Sequence, residues 1–385
     1  MQKCAQHRTR HLGAIILFLL GALACRHASA VDERPPDNPI IIGQSTDLSG
    51  IYAQVSRQFN LGANVYFAQL NARGGIQGRP VRLLTMDDKN DPELALKNTQ
   101  ELVNEQKALT LFGYVSAKTA AAALPFITEQ RIPYFAPVSG AKLLYTPFNR
   151  HIFTIRASYV DEYRHLLPRF AQIGLKRVAI FNDTAGLPHR ALMQSLMAEA
   201  NIQLVSFESG LGMDVGKTAD NLLQSKPDVV MLMSISHDIS SSLIKNLRSK
   251  GYLGYFYCAS LVCSPLLTDE LQNAATGMLI TQIVPFPWKA TLPIVGEYQK
   301  AMTKAGIKKF NYLSLEGYIA ARVLSEGLVR AGPHTTREKL IAALENLNGK
   351  NYKNDGYPIN FSSTNHQGST YVDLTTVGKA GLIVN

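Results

Sequence analysis

The chain is poor in charge, cysteine and tryptophan: 18% of its 385 residues are charged, and there are four Cys and one Trp. Two of the cysteines, Cys4 and Cys25, fall near the start, so a disulfide-stapled scaffold is excluded. No apolar stretch reaches the roughly 18 residues that a membrane helix needs. Signatures of catalysis and of cofactor binding are also missing. There is no Gly-x-Ser-x-Gly elbow and no His-Glu-x-x-His pair. Glu162-x-x-His165 occurs once where a di-iron bundle needs two copies, which leaves Glu162 an expected solvated or capping role. Gly216-Lys217-Thr218 has Leu211 where a phosphate loop needs its first glycine, and so reads as a turn and helix start. Gly74-Gly75, inside Asn71 to Arg79, follows a helical pattern and precedes an apolar run, the reverse of a dinucleotide fingerprint. No metal and no cofactor are expected.

What is present begins with a targeting pattern. Lys3, Arg8 and Arg10 precede an apolar run from Leu12 to Ala24, and Ala28-Ser29-Ala30 follows. This predicts a signal peptide over residues 1–30 and export to the periplasm. The competing reading is a lipoprotein anchored through Cys25, although Ala22-Leu23-Ala24-Cys25 has Ala where a lipobox has Leu. Loss of Lys3, Arg8, Arg10 and Arg26 leaves 35 basic against 29 acidic side chains, with no long basic run. Nucleic acid is therefore not an expected partner. Cys258 and Cys263 remain in an oxidising compartment, where a disulfide and two buried thiols are both open.

From Ile40 onward, strand-sized apolar runs alternate with amphipathic segments. The runs are Ile40 to Ile42, Val81 to Met86, Leu109 to Phe112, Ile132 to Phe135, Val178 to Phe181, Val229 to Met233 and Tyr255 to Cys258. Helical patterns include Phe59 to Asn71, Pro92 to Asn104, Ser240 to Lys250, Leu292 to Ala305, Leu313 to Arg330 and Arg337 to Leu347. Such alternation predicts an α/β fold of parallel, doubly wound sheets, with too many runs for one sheet. His151 to Arg156 reads as an extended crossing, and so does the proline cluster between Gln282 and Pro293.

The chain resembles the type I periplasmic solute-binding proteins of branched-chain amino acid transporters, the leucine/isoleucine/valine-binding family. The stretches that carry the resemblance are Ile41 to Gly50, Gly62-Ala63, Asn71 to Arg79, Asp87-Asp88 before Asp91-Pro92, and Phe112 to Ser116. Ile132 to Pro137, Val178 to Asp183 and Ser314 to Tyr318 extend it over nearly all of the mature chain. It implies two lobes joined by three crossing segments, with a small ligand in the cleft between them. The lobes are expected at residues 37–156 plus 283–356 and at residues 157–282 plus 357–385. It also implies a substrate-binding role beside the permease of an ABC transporter, and a monomer. A sensor feeding a membrane signalling receptor and an exported enzyme with an unrecognised site are the alternatives.

By the same resemblance, a ligand carboxylate meets a serine hydroxyl and backbone amides at Ser116-Ala117 and at Val138-Ser139-Gly140. The second lobe departs from the amino-acid binders, because Ala185, after Asp183, stands where they have an aromatic. Ser260 falls where an acid meets the ligand ammonium, and Ser236 and His237 fall where another aromatic sits. Tyr52, Phe286 and Trp288 are expected as an apolar wall. Without an acid at Ser260 a buried ammonium would be unpaired, so organic acids or amides are expected ahead of α-amino acids.

Overall fold

The computed structural model describes residues 38–183, 190–210, 212–261 and 265–384. The expected signal peptide, Ala185 and Cys263 lie outside them. In the first lobe, β1 (Ile40–Thr46), β2 (Val81–Asp87), β3 (Thr110–Phe112), β4 (Tyr134–Phe135) and β5 (Ile152–Phe153) form one parallel sheet in the order β2-β1-β3-β4-β5. Between the strands run α1 (Ala53–Ala72), α2 (Pro92–Asn104) and α3 (Ala117–Glu129). Helix α2 starts where Asp91 accepts the N–H groups of Glu93 and Leu94, and Pro92 occupies the first position, whose N–H would be unpaired in any case.

The second lobe repeats this plan. Strands β6 (Arg177–Asn182), β7 (Gln203–Ser209), β8 (Val229–Met233), β9 (Tyr255–Cys258) and β10 (Leu279–Gln282) are parallel in the order β7-β6-β8-β9-β10. Antiparallel β11 (Asp373–Val377) and β12 (Ile383–Val384) extend its edge. Its helices are α4 (Tyr159–Gln172), α5 (Arg190–Glu199), α6 (Val215–Gln224), α7 (His237–Ser249) and α8 (Pro265–Leu271). Gly216-Lys217-Thr218 opens α6 behind an Asp214 cap, as a helix start.

Three more helices follow β10: α9 (Pro293–Lys304), α10 (Tyr312–Ala331) and α11 (Arg337–Glu345). Helix α10 packs along α1 through two glycines. A Cβ on Gly62 would lie 1.7 Å from the Ser314 carbonyl oxygen, and one on Gly317 would lie 1.9 Å from that of Phe59. Any side chain at either position would push the helices apart. Among the described residues no helix is long and apolar enough to cross a membrane.

The chain passes between the two sheets three times: after β5, after β10, and from Tyr357 to β11. Thr154 on the first passage donates its N–H to the His366 carbonyl at 2.9 Å, and Gly368 donates to Thr154 at 2.7 Å, so the third passage runs beside the first. The Tyr357 hydroxyl lies 2.8 Å from the Ile155 carbonyl oxygen and 2.9 Å from that of Ile283. Its single proton is shared between two carbonyls, so one phenol ties all three passages together.

Candidate functional site

In an open parallel sheet, a crevice forms where neighbouring strands send their following helices to opposite faces. Here that place lies between β1 and β3 in the first sheet and between β6 and β8 in the second. The loops leaving those strands carry most of the residues singled out above.

The loop after β1 is folded by Asp47, whose carboxylate accepts the N–H groups of Ser49, Gly50 and Tyr52. This fixes Tyr52 directly ahead of α1. Burial, then the electrostatic influence of Tyr159, Asp47 and Asp183, holds its pKa above the ordinary tyrosine value. The Ser116 hydroxyl donates to Asn90 Oδ1 at 2.7 Å. Ser116 makes no side-chain cap on α3, so its side chain leaves the first-turn amides from Ala117 onward unoccupied. Asn90 is in turn held by Asp88, whose carboxylate accepts Asn90 N–H and the Ser45 hydroxyl, each at 2.9 Å. Burial pushes the Asp88 carboxyl up to about 6.

After β4, the Ser139 hydroxyl accepts the Ala141 N–H at 3.3 Å, and the Gly140 carbonyl accepts the Tyr159 N–H at 2.9 Å. A Cβ on Gly140 would sit 2.6 Å from that same nitrogen, so only glycine lets α4 begin here. Val138 is fully buried and spends its N–H on the Tyr114 carbonyl. Tyr159 lies within electrostatic reach of Arg156 and Glu162, and burial raises its pKa above the ordinary tyrosine value.

The second lobe presents an acid. Asp183, just past β6, accepts the Ser234 hydroxyl through Oδ2 at 2.7 Å, whereas its buried Oδ1 has no hydrogen-bond partner among the described residues. Burial raises its pKa above the usual carboxylate value. Ser236 caps α7 by accepting the Ile239 N–H at 3.4 Å, and its own N–H goes to Ser234. His237 pairs with Glu270 of α8, which Lys245 and Ser241 also hold. Lys245, Ser241 and His237 together keep that carboxyl down at about 2.

Ser260, half-buried, is held by Glu162 and Arg156. Its hydroxyl donates to Glu162 Oε1 at 2.9 Å and accepts from Arg156 Nη2 at 2.8 Å, while its N–H meets Glu162 Oε2 at 2.8 Å. Thr281 donates to the same carboxylate, and Arg156 reaches Glu316 of α10 at 3.3 Å. Glu162 is thus fully buried, neither solvated nor capping as the sequence suggested: two hydroxyls and the Ser260 N–H satisfy its carboxylate, and the Arg156 guanidinium lies within electrostatic reach. Burial disfavours the Arg156 charge, and the carboxylates of Glu316 and Glu162 outweigh that.

Trp288 is 41% exposed and packs edge-on against Phe286 and Tyr312, with ring centroids 4.9 and 5.4 Å away. Cys258 is buried and disulfide-bonded. Tyr52 of the first lobe therefore lies within electrostatic reach of Tyr159 and Asp183, and Arg156, Ser260 and Glu162 form a hydrogen-bonded cluster. Asn90, Tyr159, Arg156 and Glu162 were not foreseen as site residues. For Glu162 the signal was present: Tyr159, Glu162, Tyr163, Leu166, Leu167 and Phe170 form one helical stripe, and all are buried.

A periplasmic binding protein family model matches residues 39–381. The chain is 22% identical over 360 residues to a Leu/Ile/Val-binding protein homolog 7 of Brucella melitensis, covering 87% of this chain and 88% of that one. It is 22% identical over 300 residues to an amino acid binding protein of Pseudomonas aeruginosa, covering 73% and 78%. Its fold superposes on the crystal structure of a substrate-binding periplasmic protein from Ralstonia solanacearum with a TM-score of 0.79 and 26% identity, over 90% of this chain and 99% of that one. The chain belongs to the periplasmic binding protein family, a family of solute-binding proteins, as a type I member with two α/β lobes.

Proposed function

We propose that the protein is the exported, monomeric substrate-binding component of an ABC-type importer, cleaved after residue 30, and that it binds a small solute with two unlike ends. The supporting observation is the buried Oδ1 of Asp183, unpaired among the described residues, on a side chain within electrostatic reach of Tyr52, in a first lobe whose loops carry hydroxyls and helix-start amides. A carboxylate or amide oxygen suits the amides around Ala117 and Gly140, where fixed N–H groups and the helix dipole favour negative charge. An ammonium or amide N–H suits Asp183, whose free oxygen lacks a donor. Ser260 by itself argued against an ammonium, but Asp183 supplies an acid from another strand end. An α-amino acid therefore fits both faces, and amino acids are what the names of the Brucella and Pseudomonas relatives mention.

The ligand touches residues of both lobes only when they close, so its differential affinity is what drives closure. The expected units are residues 37–156 plus 283–356 and 157–282 plus 357–385, bending about passages that Tyr357 holds together. The permease then reads the closed form, and no reaction occurs. A thermal-shift screen over amino acids, organic acids and amides tests this. A true ligand at a hundred times its Kd adds about 2.7 kcal/mol of stability. No shift across the whole panel defeats the proposal. Ser139→Asp, which sets a negative charge in the anion loop, should abolish the shift without altering the unliganded fold.

A further inference from the structure

We infer that the outer face of the first lobe carries a second ligand site, for a small amphipathic anion with an aliphatic body and a carboxylate head. Two adjoining cavities of about 440 and 510 Å3 open beside α1 and α9 and share Gln69, Arg73, Ala301 and Lys304 in their walls. Each is of the size that small-molecule sites occupy. They line the second half of α1, so Arg73 is about 30 Å along the helix from Tyr52 and the crevice.

The first cavity is polar because of helical spacing. Tyr66, Gln69 and Arg73 of α1 share one face, opposite Tyr318, Arg322 and Glu326 of α10. Most of the acids here are already taken: Arg322 pairs with Glu297 and Asp355, and Glu326 pairs with Arg330. Arg73, Lys300 and Lys304 make no ion pair among the described residues, which leaves three uncompensated cations at one rim. Tyr318 lines the same cavity, and its buried ring packs on Tyr66 and Tyr298.

The second cavity continues the first as an apolar groove. Leu61, Val65, Ala68 and Ala72 of α1 face Ala301 and Ala305 of α9, and the alanines leave the space between the helices open. One molecule that satisfies both parts has a hydrocarbon body in the groove and a negative head among Arg73, Lys304 and the Tyr318 hydroxyl. The head carries a single charge, because Glu297 and Glu326 border the same cavity and would oppose a doubly charged one.

Calorimetric titration of the mature chain with octanoate tests the site, with octylamine and inorganic phosphate as comparisons. Octanoate is expected to bind once, octylamine and phosphate at least about tenfold more weakly. Arg73→Glu combined with Lys304→Glu should weaken octanoate by at least about tenfold at an unchanged thermal midpoint. Ala72→Phe, which fills the groove without touching charge, should cause a similar loss and reads the site even if the double reversal fails to fold. Ser139→Asp, in the interlobe crevice, should leave octanoate binding intact. The inference is overturned by any of four results: no octanoate binding at millimolar concentration, loss only in Ser139→Asp, equal binding of octylamine or phosphate, or a dimer in sedimentation that the charge reversals dissociate while octanoate has no effect.

Discussion

Residues Ile40 to Phe153 and residues Arg177 to Gln282 each fold into five parallel strands, with the second strand at one edge and the first beside the third. The loops at their matching switch points differ in kind. The first lobe offers the hydroxyls of Tyr52 and Ser116 with helix-start amides, and its nearby buried acid, Asp88, has hydrogen bonds on both oxygens. The second lobe offers Asp183, an acid with one oxygen unpaired among the described residues. Topology thus fixes where a ligand is held, and a few residues at the strand ends fix which end of the ligand each lobe takes. Behind the crevice, Arg156 joins the halves by compensating Glu316 of α10 while sharing Ser260 with Glu162 of α4.

The comparison can be broken most severely at that joint. Arg156→Met removes the one cation set between Glu316 and Glu162, and should lower stability by about 3–5 kcal/mol in urea unfolding. Replacing Glu316 with Gln in the same chain should recover part of the loss; no recovery would mean that the pair is not coupled.

The buried acid of the first lobe sharpens the comparison next. Asp88 has its folded pKa raised to about 6, so the folded chain binds the extra proton and stability falls as pH rises from about 4 through 6. The expected fall is about 2–3 kcal/mol, and Asp88→Asn should remove it from the stability–pH profile. An unchanged profile would show that Asp88 does not titrate in this range.

Tyr357→Phe is the smallest perturbation. It deprives the Ile155 and Ile283 carbonyls of their shared donor and should cost about 1 kcal/mol, while hydrogen exchange rises at the three passages and not within β1 or β6.

Much of the fold was legible in the sequence. Helix α2 and strands β8 and β9 fall where the caps and apolar runs put them, because those signals are local. Helix α1 starts at Ala53, six residues before the periodic pattern from Phe59, since the Asp47 carboxylate organises its first turn from outside the helix. Helix α7 starts at His237, before the expected Ser240, because Ser236 is its cap. Strand β7 was not foreseen, as its side chains are only half-buried and it forms an edge. In the candidate site, Ser116, Ser139 and Gly140 were expected from the family resemblance, and they lie in the loops that follow β3 and β4. The environment of Ser260 was not: its partners Glu162 and Arg156 lie 98 and 104 residues away, and no local pattern brings them together.

The central claim is that the two lobes hold opposite ends of one solute, with Asp183 taking its nitrogen. The direct measurement is calorimetric titration of wild type and Asp183→Asn with the best amino acid from the screen and with its deaminated analogue. The account predicts that wild type prefers the amino acid by about a hundredfold, as expected for a buried charge-assisted pair, and that Asp183→Asn loses most of this preference by weakening the amino acid alone. Equal affinity of wild type for both compounds, or a preference that survives Asp183→Asn, would contradict it.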